Sequence, residues 1–379
     1  MNEDRATRYQ RLRRQSSAGS VLLAGGWLAA LLLSGSSLVV RDAAIGLAGG
    51  SAFLTAAMFV AVLVLLHEVL QLPFAYYQGV TLERRYGLLT QSTRHWWLDH
   101  VRVSALGCVA LAAGGVLAWA LLAWTPAWWW VVWAVVLTGA QVVMTHVAPV
   151  VLIPMVDACE PLGRGELVAR LLALARRANT RVIGVFEWHV GARTKKANAA
   201  LAGIGNTRRI LVSDTLLADH SDDEIEVILA HELAHHVYHD IWTAIGVQAA
   251  IMLASAWVAD VALVQAAAWM QLSSKSDVAA LPVVALAGGL AVIALSPLAH
   301  AVSRAHERRA DRYALEMTQN VTAFVSAMKR LGALNLADHR PSPLVEFAFY
   351  THPPVGARIR AAQTWEAGGA PGRARASRQ

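Results

Sequence analysis

Two histidines and a glutamate stand together in the pentapeptide His231-Glu232-Leu233-Ala234-His235. On a helix, a spacing of four stacks both imidazoles one turn apart on one face, close enough to grip a single metal ion. Zinc is the metal that suits such a pair. A catalytic zinc takes three protein ligands and keeps a position for water, so Glu232, beside the pair, is the candidate base for that water's proton. A third ligand must come from elsewhere in the chain. Residues 303–311 read Ser-Arg-Ala-His-Glu-Arg-Arg-Ala-Asp, and Glu307 and Asp311, four apart, would share a helix face. There one could ligate while the other accepts from behind a ligand histidine. The same residues could equally form a solvated charged helix, with Glu307 and Asp311 paired to Arg304 and Arg308. His236 points off the metal face of such a helix, and His239 reads as a surface or interface histidine.

The elements that would position these residues are partly legible. Ser221-Asp222-Asp223-Glu224 matches a capping box, so a helix is expected to begin there and to run through Ile225, Ile228, His231 and His235. Residues 163–178 carry Leu167, Leu171, Leu174 and Ala175 at helical spacing, with Arg170, Arg176 and Arg177 on other faces. Strand composition marks 181–188 and 209–213, the second after a turn-like 203–206, which predicts a hairpin or small sheet. These elements fill an insert of modest size between long apolar runs.

Those runs place the chain in a membrane. With 56% hydrophobic and 16% charged residues over 379 positions, and a mean hydropathy of +0.43, it carries more apolar surface than one core can bury. Uncharged stretches long enough to cross roughly 30 Å of hydrocarbon lie at 20–40, 44–66, 103–124, 128–152, 242–259 and 278–298. Six spans are therefore expected. Arg5, Arg8, Arg11, Arg13 and Arg14 precede the first, and Arg84, Arg85, Arg94 and Arg102 follow the second, which by the positive-inside rule puts both termini and the catalytic insert in the cytoplasm. The connections at 41–42, 125–127 and 273–277 are short or weakly charged, as the opposite side requires. Trp96, Trp97, Trp124, Trp128, Trp129, Trp130 and Trp133 fall at span ends, where headgroup anchoring accounts for them.

Other features narrow the function. The net charge of +7 is spread beside apolar runs and in both tails, so the bilayer is the expected partner and nucleic acid is not. Cys108 and Cys159 form no disulfide or metal pattern and read as structural. His67, Glu68 and Asp260 are ionisable groups in or near spans; they would face a bundle interior or hydrated chamber, or in the case of Asp260 a helix end. A transporter would explain six spans but gives no reason for a His-Glu-His insert, and a metal scaffold gives none for Glu232.

Several further segments, in chain order, resemble the type I CAAX prenyl protease family, the membrane-embedded gluzincin-type zinc metalloproteases, and its bacterial relatives. They are Leu72-Pro73-Phe74 through Glu83 and Gly87; Ile153-Pro154 to Pro161-Leu162; Asn198-Ala199, then Gly203, Gly205, Arg208 and Arg209 with Asp214-Thr215-Leu216-Leu217; Ser303 and Arg304 with Glu307, Ala310 and Asp311; and His352-Pro353-Pro354 with Arg358. The resemblance covers about residues 50–360. It implies one zinc per chain held by His231, His235 and Glu307, with Glu232 as base. It also implies Asp311 and Arg304 behind the ligands, Asn198 and Ala199 on substrate backbone, and His352 at the tetrahedral oxyanion, unless His-Pro-Pro only fixes a turn. The implied activity is peptide hydrolysis on membrane-associated or lipid-anchored protein substrates; a quality-control protease with the same site is the alternative.

The implied architecture is mainly α: a multi-pass helix bundle with an inserted small α+β metalloprotease domain, enclosing a hydrated chamber. Its parts are a basic tail, 1–17; spans one to four, 18–152, with a cytoplasmic loop at 73–102; the catalytic insert, 153–240; spans five and six, 241–301; the remainder of the catalytic domain, 302–365; and a disordered tail, 366–379. The chain departs from the family in having six apolar runs rather than seven and no long insertion before the metal helix. It also has Glu187-Trp188-His189-Val190-Gly191 in place of a Gly-Ser-rich approach to the asparagine.

Overall fold

Long apolar runs form helices here because a chain in hydrocarbon must satisfy its backbone polar groups within each segment. The computed structural model describes residues 4–147, 158–192, 194–203, 207–338 and 340–368. Its N-terminal part contains α1 (Arg5–Leu33), α2 (Ser36–Leu47), α3 (Ala52–Tyr76, continued by a π-helical turn to Leu82 and by Glu83–Arg85), α4 (Thr93–Trp124) and α5 (Trp129–Val147). After the α+β insert come α9 (Asp240–Trp269) and α10 (Leu281–Thr318). Among the described residues, α1, α3 with its continuation, α4, α9 and α10 are long and apolar enough to cross a membrane, and α5 is a shorter apolar helix.

Span boundaries differ from the sequence expectation at two glycine turns. The run at 20–40 is broken after Leu33 by Gly35, whose φ of 72° ends α1 and starts α2. The run at 44–66 is broken at Gly49-Gly50, so the spanning helix begins at Ala52. Hydropathy does not register a turn made of apolar and small residues. The end of the run at 128–152 lies outside the described residues. Trp129 also departs from the interfacial role expected of it: it is fully buried and donates to Asp260 Oδ1 at 2.6 Å, an oxygen that Lys275 Nζ also reaches at 2.8 Å. Trp124 and Trp128, by contrast, are exposed.

Phe59, Leu122, Trp129, Leu263 and Leu281 make the bundle core, and Leu65, Leu106, Val109, Val261 and Leu290 face outward. A cavity of about 500 Å³ lies between the helices, with mostly apolar walls plus Trp27, His67 and Ser255.

The insert comprises β1 (Cys159–Pro161), α6 (Gly165–Arg177), β2 (Val185–Trp188), β3 (Ala199–Ala202), β4 (Arg209–Ser213), α7 (Asp214–Asp219) and α8 (Asp222–Val237). Its four strands are ordered β1-β2-β4-β3. The two strands expected from composition, β2 and β4, pair in parallel, Val185 opposite Ile210, and β3 and β4 make the antiparallel pair, Ala199 opposite Val212. Except for Gly203, the expected turn at 203–206 lies outside the described residues.

The core of this unit is shared with the chain after α10. Leu167, Leu171 and Leu174 of α6, Ile210 and Val212 of β4, and Ile225 and Ile228 of α8 pack with Phe324, Ala327 and Met328 of α11 (Val321–Leu334). Two short helices, α12 (Pro343–Phe349) and α13 (Val355–Ala367), complete it. At 38 residues, α10 is about 57 Å long, nearly twice what the hydrocarbon core requires. Its apolar half lies in the bundle and its charged half reaches the insert.

Candidate active site

Helix α8 begins where the capping box directs. Ser221 Oγ accepts from the Glu224 N–H, and a Glu224 carboxylate oxygen accepts from the Ser221 N–H at 2.8 Å. Four turns later the helix ends, and a turn with His239 at φ 57° leads directly into α9. His231 and His235 therefore lie on the last turns of α8, facing the charged half of α10.

Three side chains converge between these helices. His231 Nε2 lies 3.2 Å from Glu307 Oε2, His235 Nε2 lies 3.3 Å from Glu307 Oε1, and the two Nε2 atoms are 3.3 Å apart. Ligand atoms about 2.0–2.2 Å from a tetrahedral centre stand about 3.3–3.6 Å from one another, so the spacing fits one zinc ion. Glu307 Oε2 supports the same fit, since it is buried and makes no well-aligned hydrogen bond. This is the one candidate metal group among the described residues.

Both imidazoles are oriented from behind. His231 Nδ1 is 3.0 Å from Asp311 Oδ1, and His235 Nδ1 is 2.9 Å from Asp240 Oδ2. A carboxylate on Nδ1 fixes the ring and leaves the Nε2 lone pair for a metal. Asp311, expected behind one of the histidines, lies against His231. Asp240 was not anticipated. It is buried at the start of α9 and also holds Arg309, with His306 Nε2 at 3.8 Å. Its only signal in the sequence is an acidic residue five positions after His235, just before an apolar run.

Arg358 of α13 closes the far side. Its guanidinium pairs with both oxygens of Asp311, at 2.8 Å from Nε to Oδ2, and lies 3.8 Å from Glu307 Oε2. His352 Nδ1 stands 2.9 Å from Glu307 Oε2 with its ring 62% exposed, so it sits at the mouth of the site. Arg304, expected behind the histidine pair, touches neither His231 nor His235. It donates to the carbonyls of Glu346 and Tyr350 at 3.0 and 2.6 Å, holding the segment that leads to His352.

Burial pushes the Glu232 carboxyl up, against the attraction of His231 and His235. Burial also disfavours charge on His231, but the adjacent Asp311 and Glu307 carboxylates outweigh it and raise the imidazole to about 9. His236 is half-buried and His239 exposed, and neither joins the three converging side chains.

Edge strand β3 packs against α8. Asn198, just before it, has an exposed side chain, while its backbone N–H donates to Ser213 Oγ at 2.9 Å and its carbonyl accepts from the Ser213 N–H at 3.0 Å. Ala199 is the first residue of the strand.

The model of peptidase family M48 matches residues 161–366. The chain belongs to that family. Residues 3–158 match a second model, described as the CAAX prenyl protease N-terminal region with five membrane helices. Among M48 relatives, an uncharacterised metalloprotease of Bacillus subtilis, YhfN, is 30% identical over 83% of this chain and 74% of its own length. CAAX prenyl protease 1 of Saccharomyces cerevisiae is 29% identical over 47% of this chain and 39% of its own. The crystal structure of S. mikatae Ste24p superposes with a TM-score of 0.81 at 20% identity, covering 94% of this chain and 88% of that one. The protein is thus a membrane-embedded member of a metalloprotease family, with a helix bundle and a small sheet in the arrangement of Ste24p.

Proposed function

We propose that this M48 protein is an integral-membrane zinc metalloendopeptidase that hydrolyses peptide bonds of membrane-associated or lipid-anchored substrates. The observation that carries the reading is the convergence of His231, His235 and Glu307 at 3.2–3.3 Å beside Glu232. One zinc, when bound, supplies a Lewis acid for the scissile carbonyl and brings the pKa of a water toward about 7. Glu232 would take a proton from the attacking water and deliver it to the leaving amine, a shuttle to which its burial-raised carboxyl is suited. His352, at the mouth, donates to the oxyanion of the tetrahedral stage. Asp311 and Asp240 hold the ligand rings, Arg358 keeps Asp311 ionised, and Arg304 holds the approach to His352.

The substrate lies extended against β3. Its main chain hydrogen-bonds along the edge from Asn198 and Ala199, which selects unfolded segments rather than folded ones. The insert and both termini are assigned to the cytoplasm by the positive-inside rule, on the arginines in the first turns of α1 and at the end of α3. A site joined to spans on both sides favours a peptide bond held close to the bilayer. A peptide anchored by a lipid or a span is therefore expected to be cleaved faster by the purified wild-type protein than the same peptide free, and a chelator is expected to abolish both reactions. Equal rates on the two forms would remove the membrane-substrate part of the proposal.

A further inference from the structure

Glu83 and Gly87 belong to the first stretch that resembles the family, yet they have no part in the chemistry above. Glu83 follows the π-helical turn Tyr77–Leu82 at the end of α3. Such a turn adds one residue to the helix and rotates whatever follows by about 100°. Gly79 lets it pack against α4: a Cβ there would stand 2.6 Å from Trp96 Nε1. The π turn thus decides where Glu83 points.

It points at the catalytic insert. Glu83 Oε1 accepts from Lys196 Nζ at 3.0 Å and from the hydroxyl of Tyr9, which is fully buried, and Lys196 Nζ lies 5.9 Å from the centre of the Tyr9 ring. Gly87, at φ +71°, turns the chain so that Leu89 pairs with Thr194 in an antiparallel bridge and Leu88 O accepts from the Lys195 N–H at 3.2 Å. Thr90 Oγ1 adds a bond to Gly191 O at 3.0 Å. On its other side, the carbonyl of Lys196 accepts from Thr215 Oγ1 at 2.9 Å. Segment 194–198 is therefore held between the end of a membrane helix and the sheet, immediately before Asn198 and β3.

The pair is partly buried, Glu83 15% and Lys196 31% exposed, and desolvation offsets much of the attraction in such a pair; what it supplies is a defined geometry. We propose that Glu83 and Lys196 are positioning residues for the substrate: together they clamp 194–198 so that the free edge of β3 lies in register with the metal site. This inference rests on the proposed peptidase reading. It makes the end of α3 part of substrate recognition through the segment it holds.

The test uses the full-length zinc-loaded protein and a membrane-tethered peptide. Lys196→Met is expected to raise KM about tenfold with kcat nearly unchanged, and Lys196→Arg, which keeps the charge, to restore KM to within about threefold. Glu83→Gln should match Lys196→Met, and the double variant should be no worse than either single one, because both act through one contact. Amide exchange supplies a readout independent of activity. Residues 194–202 should exchange about tenfold faster in Lys196→Met while α8 keeps its protection. Unchanged KM in a folded, zinc-loaded variant would overturn the proposal, as would multiplying effects in the double variant or zinc loss alongside the KM change. If the wild type showed no peptidase activity, the peptidase reading itself would fail, while amide exchange would still report whether the clamp exists.

Discussion

His231 and His235 share a helix, but the carboxylates that orient them come from two others, Asp311 on α10 and Asp240 at the head of α9. Each is buried, so each aspartate substitutes for water that the ring nitrogen would otherwise need. Asp240→Asn and Asp311→Asn are each expected to weaken zinc affinity about 10- to 100-fold, the usual consequence of losing the carboxylate behind a ligand histidine. Titration against a metal buffer measures this directly, and wild-type affinity in Asp240→Asn would exclude its role. Glu307→Ala, which removes a proposed ligand outright, should leave the purified protein with little zinc. The His-Glu-His pentapeptide was legible because its geometry is local to one helix. Glu307 was ambiguous on spacing alone and became a ligand candidate through the family resemblance. Asp240 was invisible because it reaches His235 only through a turn in which His239 adopts φ 57°, and nothing in the sequence announces that turn.

Helix α8 is the element on which the site depends, and its start was readable to the residue. The capping box at Ser221 and Glu224 is present with both of its hydrogen bonds. Ser221→Ala should destabilise the catalytic unit by about 0.5–2 kcal/mol, visible as a lower melting midpoint in detergent. A midpoint unchanged from wild type would mean that tertiary packing alone fixes the start of α8. Burial pushes Glu224 up, but hydrogen bonds from Ser326 and the Ser221 N–H, with Arg330 Nε 3.1 Å away, hold its carboxyl below 4.5. Its contribution to stability is therefore full above about pH 4.5 and is lost as the pH falls through the lowered value. Glu224→Gln should flatten the acid side of the stability profile, and an equally steep acid limb would count against this. Strands were less legible than helices. Residues 185–188 and 209–213 have strand composition, whereas β1 contains a proline and β3 is rich in alanine, so only pairing with their neighbours makes them strands. Apolar runs marked the membrane helices but not the turns at Gly35 and at Gly49-Gly50, because hydropathy averages over them.

Across the whole molecule, ion pairs and hydrogen bonds join segments that the charge pattern had assigned to the same side of the bilayer. Arg41 Nη1 lies 2.8 Å from Asp277 Oδ2, linking two connections assigned to the outside. Arg14 Nη1 donates to the Tyr350 hydroxyl at 3.3 Å, linking the N-terminal helix to the segment before His352 on the inside. Reporter fusions near Asp42 and Ser274 should read as external, and one after Arg358 as cytoplasmic; an external reading there would overturn the topology. The division of labour that follows is a bundle that holds the protein in the membrane and an α+β unit, completed by the long α10, that carries the proposed chemistry. The proposed chemistry turns on Glu232 acting on water at a metal held by its neighbours. The most direct test is to measure zinc content and peptide hydrolysis on the same preparation of Glu232→Gln, whose shape is conserved and whose basicity is gone. One zinc per chain with hydrolysis reduced by about 10²- to 10⁴-fold is the expected result; undiminished hydrolysis would contradict it.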